Sequence, residues 1–501
     1  MSLIAYLNSA VDELLSEDLS QLAQVTDYDT CWAARLTEED GSLAYPHLLE
    51  ALTERQRPDG SWGGQIPYVH DRLLSTLAVV LLLKRFGRRR HDQEQRLAGE
   101  RYILQHASRL HHDAHRTIGF EMILPSLLAE GRELGLDLPY APLRHHEDER
   151  AKKLKLLPMQ HLFDTRTTAL FSLEAFAGNK DLGGATSLLF EDGSVATSPS
   201  ATAFLLSRVP DWRSRYPEST VYLEELLRHH DGGLPAVAPC DIFMRAWTLY
   251  FLQYGNLLTG CTDLAKSHYE YLREHWRPEG VGWASVGIPD SDDTAITLLA
   301  LQRAGYEVDG TCLLTYERDR HFAVLRHELN PSISTNLHIL EALETLPERE
   351  RSRVRDKILG YILRARQYGT FWSDKWHSSV YYPTSIALMV LPSHIPDAMD
   401  ATLRWILSTQ HDNGAWGQYM PTKEETALTL LALLNYHRTV RSFAREPLRR
   451  AAEYLIATEN PSEDNYPELW VSKAAYAPGF VIRSTILAAL GLYHDTFGDL
   501  G

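Results

Sequence analysis

The chain has 501 residues, enough for two or three domains with large cores, and its 44% hydrophobic and 23% charged residues are ordinary for a globular protein. A formal charge of −16 with no polybasic block argues against a nucleic-acid partner, because phosphate binding draws on clustered Lys and Arg. No run of eighteen apolar residues is present to cross a membrane. Four scattered cysteines (Cys31, Cys240, Cys261 and Cys312) lack CxxC pairing, so neither a zinc site nor a disulfide framework is suggested, and a reducing cytoplasm is the expected location.

In chain order, "MSLIAYLNSAVDELLSED" has acidic residues and helix-like apolar spacing, which predicts an amphipathic helix and not a signal peptide. "DRLLSTLAVVLLLKRF" continues the helical pattern, and the basic run "KRFGRRRHDQEQR" (Lys84 to Arg96) reads as a solvated helix end. "IFMRAWTLYFLQYG", "TAITLLALQRAGY" and "EETALTLLALLNYHR" follow with the same i, i+3, i+4, i+7 spacing, while strand alternation is scarce. The predicted fold class is all-α. Between helices one turn recurs: an acidic or amide residue, Gly, a small residue, then often Trp. It appears in "RQRPDGSWGG", "EDGSVATSP", "HHDGGLPA", "RPEGVGWAS" and "TQHDNGAWGQ". The Gly supplies positive φ and the Trp packs on the neighbouring helix; five such units predict rings of helices, an α-barrel or toroid. The best internal break is the Gly- and Pro-rich stretch from Arg228 to Asp241.

"PDSDDTAITLLAL" (Pro289 to Leu301) sets Asp290, Asp292 and Asp293 at the start of an apolar helix. An acidic helix start favoured by the macrodipole is one reading, with Asp290 or Ser291 as the N-cap. Crowded carboxyls that share protons in an apolar pocket are the other: a Brønsted acid suited to protonating an alkene. On this stretch alone both stay open. The carbocation would need aromatic faces and exclusion of water, and aromatics concentrate in "FWSDKWHSSVYYPT" and "ELWVSKAAYAPGF", although such residues are more often core.

"GVGW" before "DSDDTA", the Gly-Ser-Trp turns, "TDYDTCWAARL", "HDRLLSTLA", "GFEMILPSLLAE", "SPSATAF" and "PSISTNLHIL" occur in an order that resembles the bacterial class II diterpene cyclases, the copalyl, halimadienyl and tuberculosinyl diphosphate synthase group. The likeness covers essentially the whole chain. It implies two α/α-barrels with the active site between them: a β domain (residues 1–20 and 245–501) and an inserted γ domain (21–244). It implies protonation-initiated cyclisation of geranylgeranyl diphosphate to a bicyclic diterpenyl diphosphate that keeps its diphosphate. Asp292 would be the acid, Asp290 and Asp293 would tune it, and Asn336 would hydrogen-bond it, a helix cap being the competing role for Asn336. Lys153 would bind the diphosphate and Glu121 its Mg²⁺. Lys375 and Lys473 are further diphosphate candidates, against the plainer role of solvated surface lysines.

Two departures matter. Plant ent-copalyl diphosphate synthases end the reaction with a water-holding His and Asn, and the matching positions are Phe171 and Ala236. A different terminating base, or a product of hydride and methyl shifts, is expected. No DDxxD motif occurs, the nearest stretch being "HEDER" (His146 to Arg150), so the diphosphate is expected to survive and to pass to a class I terpene synthase or a phosphatase. The same chemistry on farnesyl diphosphate, giving a drimenyl-type product, is one alternative. A squalene–hopene-type triterpene cyclase shares the aspartates and turns, but such enzymes are longer, and the basic residues here suit a diphosphate. A non-catalytic or prenyltransferase-like barrel scaffold is the alternative of another class.

Overall fold

A computed structural model describes the chain except residues 1, 21–23, 157–167, 179–184, 231, 259–262, 329, 459–464 and 500–501. Asp231 of the third turn and Cys261 therefore lie outside the described residues. The chain divides into two compact units. The first comprises Met1–Gln21, Cys240–Tyr466 and Pro478–Gly501; the second comprises Leu22–Pro239 and Pro467–Ala477. Residues 467–477, which the sequence boundaries leave with the C-terminal domain, belong to the second unit, and residues 240–244 to the first.

Helix α1 (Leu3–Ser16) opens the first unit. The second unit contains α2 (Asp27–Ala33), α3 (Pro46–Glu54), α4 (Val69–Phe86), α5 (Arg90–His106), α6 (Phe120–Glu133), α7 (Tyr140–Leu156), a 3₁₀ segment (Thr168–Phe176), α8 (Pro199–Leu206), α9 (Trp212–Arg215) and α10 (Pro217–His229). Its inner elements close a ring in the order α2, α4, α6, the 3₁₀ segment, α8 and back to α2. Strand β1 (Val25–Thr26) pairs antiparallel with β2 (Leu234–Pro235), and β3 (Trp470–Val471) with β4 (Ala475–Tyr476).

The first unit continues with α11 (Asp241–Tyr254), α12 (Asp263–Glu274), α13 (Ser291–Arg303), α14 (Ile333–Glu341), α15 (Glu348–Ala365), α16 (Tyr381–Val390), α17 (Asp400–Ser408), α18 (Lys423–Thr439), α19 (Glu446–Thr458) and α20 (Gly479–Phe497). Six of these form a closed inner ring: α11, α13, α14, α16, α18, α20 and back to α11. Inner helices are buried all round, as α13 is from Ser291 to Leu301 and α16 throughout. Outer helices bury one stripe. α15 covers only Val354, Ile358 and Ile362, and α19 only Leu448, Ala451, Ala452 and Leu455. Apolar spacing thus sorts the helices into the two layers of an α/α-barrel.

The recurring turn is the joint of this architecture. Gly60, Gly193, Gly232, Gly280 and Gly414 all have positive φ, as the sequence pattern requires. At Gly414 a Cβ would also lie 2.5 Å from the Arg450 carbonyl oxygen. Each indole of Trp62, Trp372 and Trp416 donates to a carbonyl of the preceding helix, at 2.7–2.8 Å. A threonine of the following inner helix then accepts the turn's backbone N–H: Thr76 from Trp62, Thr202 from Val195, Thr294 from Val281, Thr384 from Trp372 and Thr426 from Trp416, all at 2.9–3.1 Å. These bonds satisfy buried backbone groups that water cannot reach.

Candidate active site

Asp290 is the N-cap of α13. Its Oδ1 accepts the backbone N–H groups of Asp292 (2.8 Å) and Asp293 (2.9 Å), satisfying two of the helix's orphan donors. The cap therefore crowds three carboxyls into one turn, all buried, with exposures of 2%, 9% and 7% for Asp290, Asp292 and Asp293. Burial, aided by the charge of Asp292, pushes the Asp290 carboxyl up to about 7. Burial and the two neighbouring aspartates drive Asp293 far above the carboxylate range. Asp290 Oδ2 and Asp293 Oδ1 meet no donor among the described residues. Two adjacent carboxyls in that state are stable when one holds a proton and donates it to the other.

Asp292, the most exposed of the three, stands apart. Its Oδ1 lies 2.7 Å from His338 Nδ1, and the His338 ring is fully buried. Trp247 of α11 meets the His338 ring edge-on at 4.9 Å, and Tyr250 does so at 6.1 Å. A protonated carboxyl placed against such an aromatic wall can give up its proton to an apolar acceptor.

The expected bond from Asn336 to the acid is not present. Its Oδ1 accepts from Phe322 N–H, and its Nδ2 donates to the carbonyls of Phe322 and Ser332, at 2.8–2.9 Å. Residues two apart on a helix point about 200° from one another. With His338 turned to Asp292, Asn336 must face the loop before α14. His338 escaped the sequence reading although it carried a signal, an imidazole in the wholly buried run "ISTNLHIL". Trp247, inside "IFMRAWTLYFLQYG", looked like any core aromatic.

Lys473 is also corrected. It belongs to the second unit, is 0% exposed, and its ammonium donates to Phe171 O (2.6 Å), Glu174 Oε1 (2.9 Å), Ser198 Oγ (2.6 Å) and Ser200 Oγ (2.6 Å). Every proton of the ammonium is used, so it has none to offer a diphosphate. Its ammonium also lies 4.7 Å from the Phe171 ring, so the residue at the plant base position packs against a buried cation. Lys375, in the first unit, pairs with Glu328, donates to Asn330 O at 2.9 Å and sits 4.6 Å from the Trp376 ring. Lys153 is exposed on α7 and pairs with Glu121 of α6.

Mg²⁺ binds through one or two carboxylates together with substrate phosphates and keeps several waters. The Glu121 carboxylate is taken by Lys153, and among the described residues no three His, Cys, Asp or Glu side chains converge to hold a metal. In "HEDER", Glu149 is engaged by Arg116 and by His146. No helix among the described residues is long and apolar enough to cross a membrane.

Two α/α-barrels, one carrying a buried carboxyl cluster at an inner-helix N-terminus, define an acid-initiated cyclase of class II. No protein-family model matches the chain. A type B diterpene cyclase of Mycobacterium tuberculosis is 33% identical over 491 residues, covering 94% of this chain and 96% of that protein. The chloroplastic ent-kaurene synthase CPS/KS of Physcomitrium patens is 30% identical over 361 residues, 70% of this chain but 40% of the moss protein, so the chain spans less than half of that relative's length. Among solved structures, ent-copalyl diphosphate synthase from Streptomyces platensis superposes with a TM-score of 0.79 at 27% identity, covering 98% of this chain and 99% of the other. The chain belongs to the class II diterpene cyclase family and is an intramolecular cyclase. That membership sets aside the scaffold alternative.

Proposed function

We propose that the enzyme converts geranylgeranyl diphosphate to a bicyclic diterpenyl diphosphate, with Asp292 as the proton donor. The observation that carries this reading is the 2.7 Å contact of Asp292 with His338 beside the buried Asp290–Asp293 pair, in a chain matched over nearly its whole length by a diterpene cyclase. The distal alkene takes the proton of Asp292 with its π electrons, which leaves a tertiary carbocation. Two further alkenes attack in turn to close two rings. His338, with its proton on Nδ1, donates to the carboxylate that forms and holds it in place. The Asp290–Asp293 pair holds the replacement proton. Trp247 and Tyr382, both buried, offer π faces to the cation. We assign the first unit to the β domain and the second to the γ domain.

Lys375, in the same unit as Asp292, is the cation proposed for the diphosphate, and Mg²⁺ belongs in the assay as its counter-ion. Because the diphosphate is retained, the enzyme that consumes the product must ionise or hydrolyse that group, as a class I terpene synthase or a phosphatase does. The test is incubation of the purified protein with geranyl, farnesyl and geranylgeranyl diphosphates, with and without Mg²⁺, followed by dephosphorylation and product identification. Cyclisation of the C20 substrate is expected; a preference for the C15 substrate would favour drimenyl-type chemistry instead. Asp292→Ala is expected to cyclise at least 10³-fold more slowly while melting as the wild type does. An active Asp292→Ala enzyme refutes the acid assignment.

A further inference from the structure

The inner ring carries a second acid–histidine pair that the initiation chemistry leaves unused. Thr422 caps α18 as Asp290 caps α13: its hydroxyl accepts the N–H of Glu425 at 3.1 Å. Counting from the cap, Glu424 and Glu425 occupy the places of Asp292 and Asp293. The structural role of Glu425 is plain. It accepts from Ser379 Oγ, Thr422 Oγ1 (2.7 Å) and Gln418 N–H (2.8 Å), so its carboxylate ties the turn to the helix. Asp29 of the second unit does the same from the same register, accepting from Thr26 (2.7 Å) and Ser200.

Glu424 is not accounted for in that way. It is buried, and its Oε1 faces His377 Nε2 at 3.3 Å. The Ser379 N–H donates to His377 Nδ1 at 3.1 Å. Nδ1 also lies 3.3 Å from the Ser379 carbonyl oxygen, so the Ser379 backbone fixes the ring with Nε2 turned to Glu424. His377 is thereby held against Glu424 and orients its carboxyl group. Asp292 with His338, and Glu424 with His377, are both carboxyl–imidazole pairs at inner-helix N-termini, the first through Nδ1 at 2.7 Å and the second through Nε2 at 3.3 Å. They stand three helices apart in a ring of six, on opposite walls.

Aromatic rings run between them. Tyr382 stacks on His377 at 4.9 Å and 19°, and Trp247 lies 6.4 Å from Tyr382 and 4.9 Å from His338. Burial, with the charges of Asp292, Asp374 and Glu424, pushes the Tyr382 phenol far up, which places its hydroxyl in the field of both carboxylates.

We propose that Glu424, oriented by His377, is the base that ends the cyclisation. This rests on the cyclase reading above. After ring closure the final tertiary carbocation loses a proton from an adjacent carbon. The C–H electron pair becomes the new C=C bond and the proton goes to a Glu424 oxygen, so the reaction is a net isomerisation without redox change. A base on the wall opposite the acid suits a charge that migrates along the prenyl chain, with Tyr382 and Trp247 bridging the interval. His377 is a positioning residue; Glu424 is the group that touches the cation.

The test compares wild type with Glu424→Gln, Glu424→Asp and His377→Gln on geranylgeranyl diphosphate, scoring substrate consumption separately from product identity. Glu424→Gln is expected to form the wild-type product at least about tenfold more slowly, its main product changing to a water-captured alcohol or a different alkene isomer. Glu424→Asp should restore part of the wild-type product, and His377→Gln should give a mixture. The wild-type product as the main product of Glu424→Gln overturns the assignment. If that variant loses its melting transition, an unchanged product from both Glu424→Asp and His377→Gln overturns it. Failure of the wild type to cyclise any prenyl diphosphate would instead refute the cyclase reading.

Discussion

Asp290→Asn should make the protein more stable and less active, and the gain should grow with pH. The wild-type carboxyl is raised from 3.8 to about 7, chiefly by burial. A raised carboxyl favours the folded state when protonated, so its contribution is fully present below about pH 4 and is lost as pH climbs through 7. At pH 8 the cost corresponds to a ceiling of about 4 kcal/mol, which sharing a proton with Asp293 lowers. Asparagine caps a helix as well as aspartate does, so Oδ1 can still accept the N–H groups of Asp292 and Asp293. Its Nδ2 would replace Asp290 Oδ2 and donate to Asp293 Oδ1, pairing two atoms that now meet no donor among the described residues. That same bond favours ionised Asp293 and drains the proton store, so turnover should fall about 100-fold or more. Calorimetric melting of both proteins from pH 5 to 8.5 reads the effect. Variant minus wild type should rise by several degrees across that range and level off above pH 8. A gap independent of pH, or a variant less stable at pH 8, would refute the shared-proton account.

Three further outcomes follow from the side chains the structure re-placed or added. Lys473→Met should lower stability by about 3–5 kcal/mol, because it leaves buried Glu174 without its counter-charge; denaturant melting checks this, and a merely higher KM with unchanged stability would return Lys473 to diphosphate binding. His338→Ala should depress kcat by at least about 10²-fold with the melting temperature little changed, whereas Asn336→Ala should cost about 1–3 kcal/mol of stability, since it strands the buried Phe322 backbone.

Much of the fold was legible in the sequence because local chemistry and global architecture agree in it. A turn that needs positive φ calls for Gly, and helices buried all round read as unbroken apolar runs, as in "TAITLLAL". The carboxyl cluster was legible for the opposite reason: three aspartates ahead of such a run conflict with burial, and conflicts of this kind mark function. Side-chain direction was not legible. Asn336 and His338 are two residues apart and only the helix phase decides which meets Asp292. Lys473 looks like a surface lysine until the ring of the second unit closes over it with Glu174, Ser198 and Ser200, which are nearly 300 residues away in sequence. Such long-range partners leave no local trace.

The acid is a small alteration of a structural joint. Four other inner helices, α2, α8, α14 and α18, are capped by hydroxyls: Thr26, Ser198, Ser332 and Thr422 each accept a single N–H three residues on. At α13 the cap is a carboxylate and accepts two. For the backbone the exchange is nearly neutral, since either group satisfies the helix end. For the side chains it is decisive. A carboxylate cap adds a charge beside those at the second and third positions, and in a buried turn three such charges cannot coexist, so protons are retained. α18 keeps carboxylates at the second and third positions but caps with Thr422, and its third-position Glu425 is occupied by its own turn. Without a carboxylate cap, nothing there builds a shared-proton pair like that of Asp290 and Asp293. On the proposed assignments, one architecture offers a proton donor at one inner-helix N-terminus and a proton acceptor at another, distinguished by the identity of the cap.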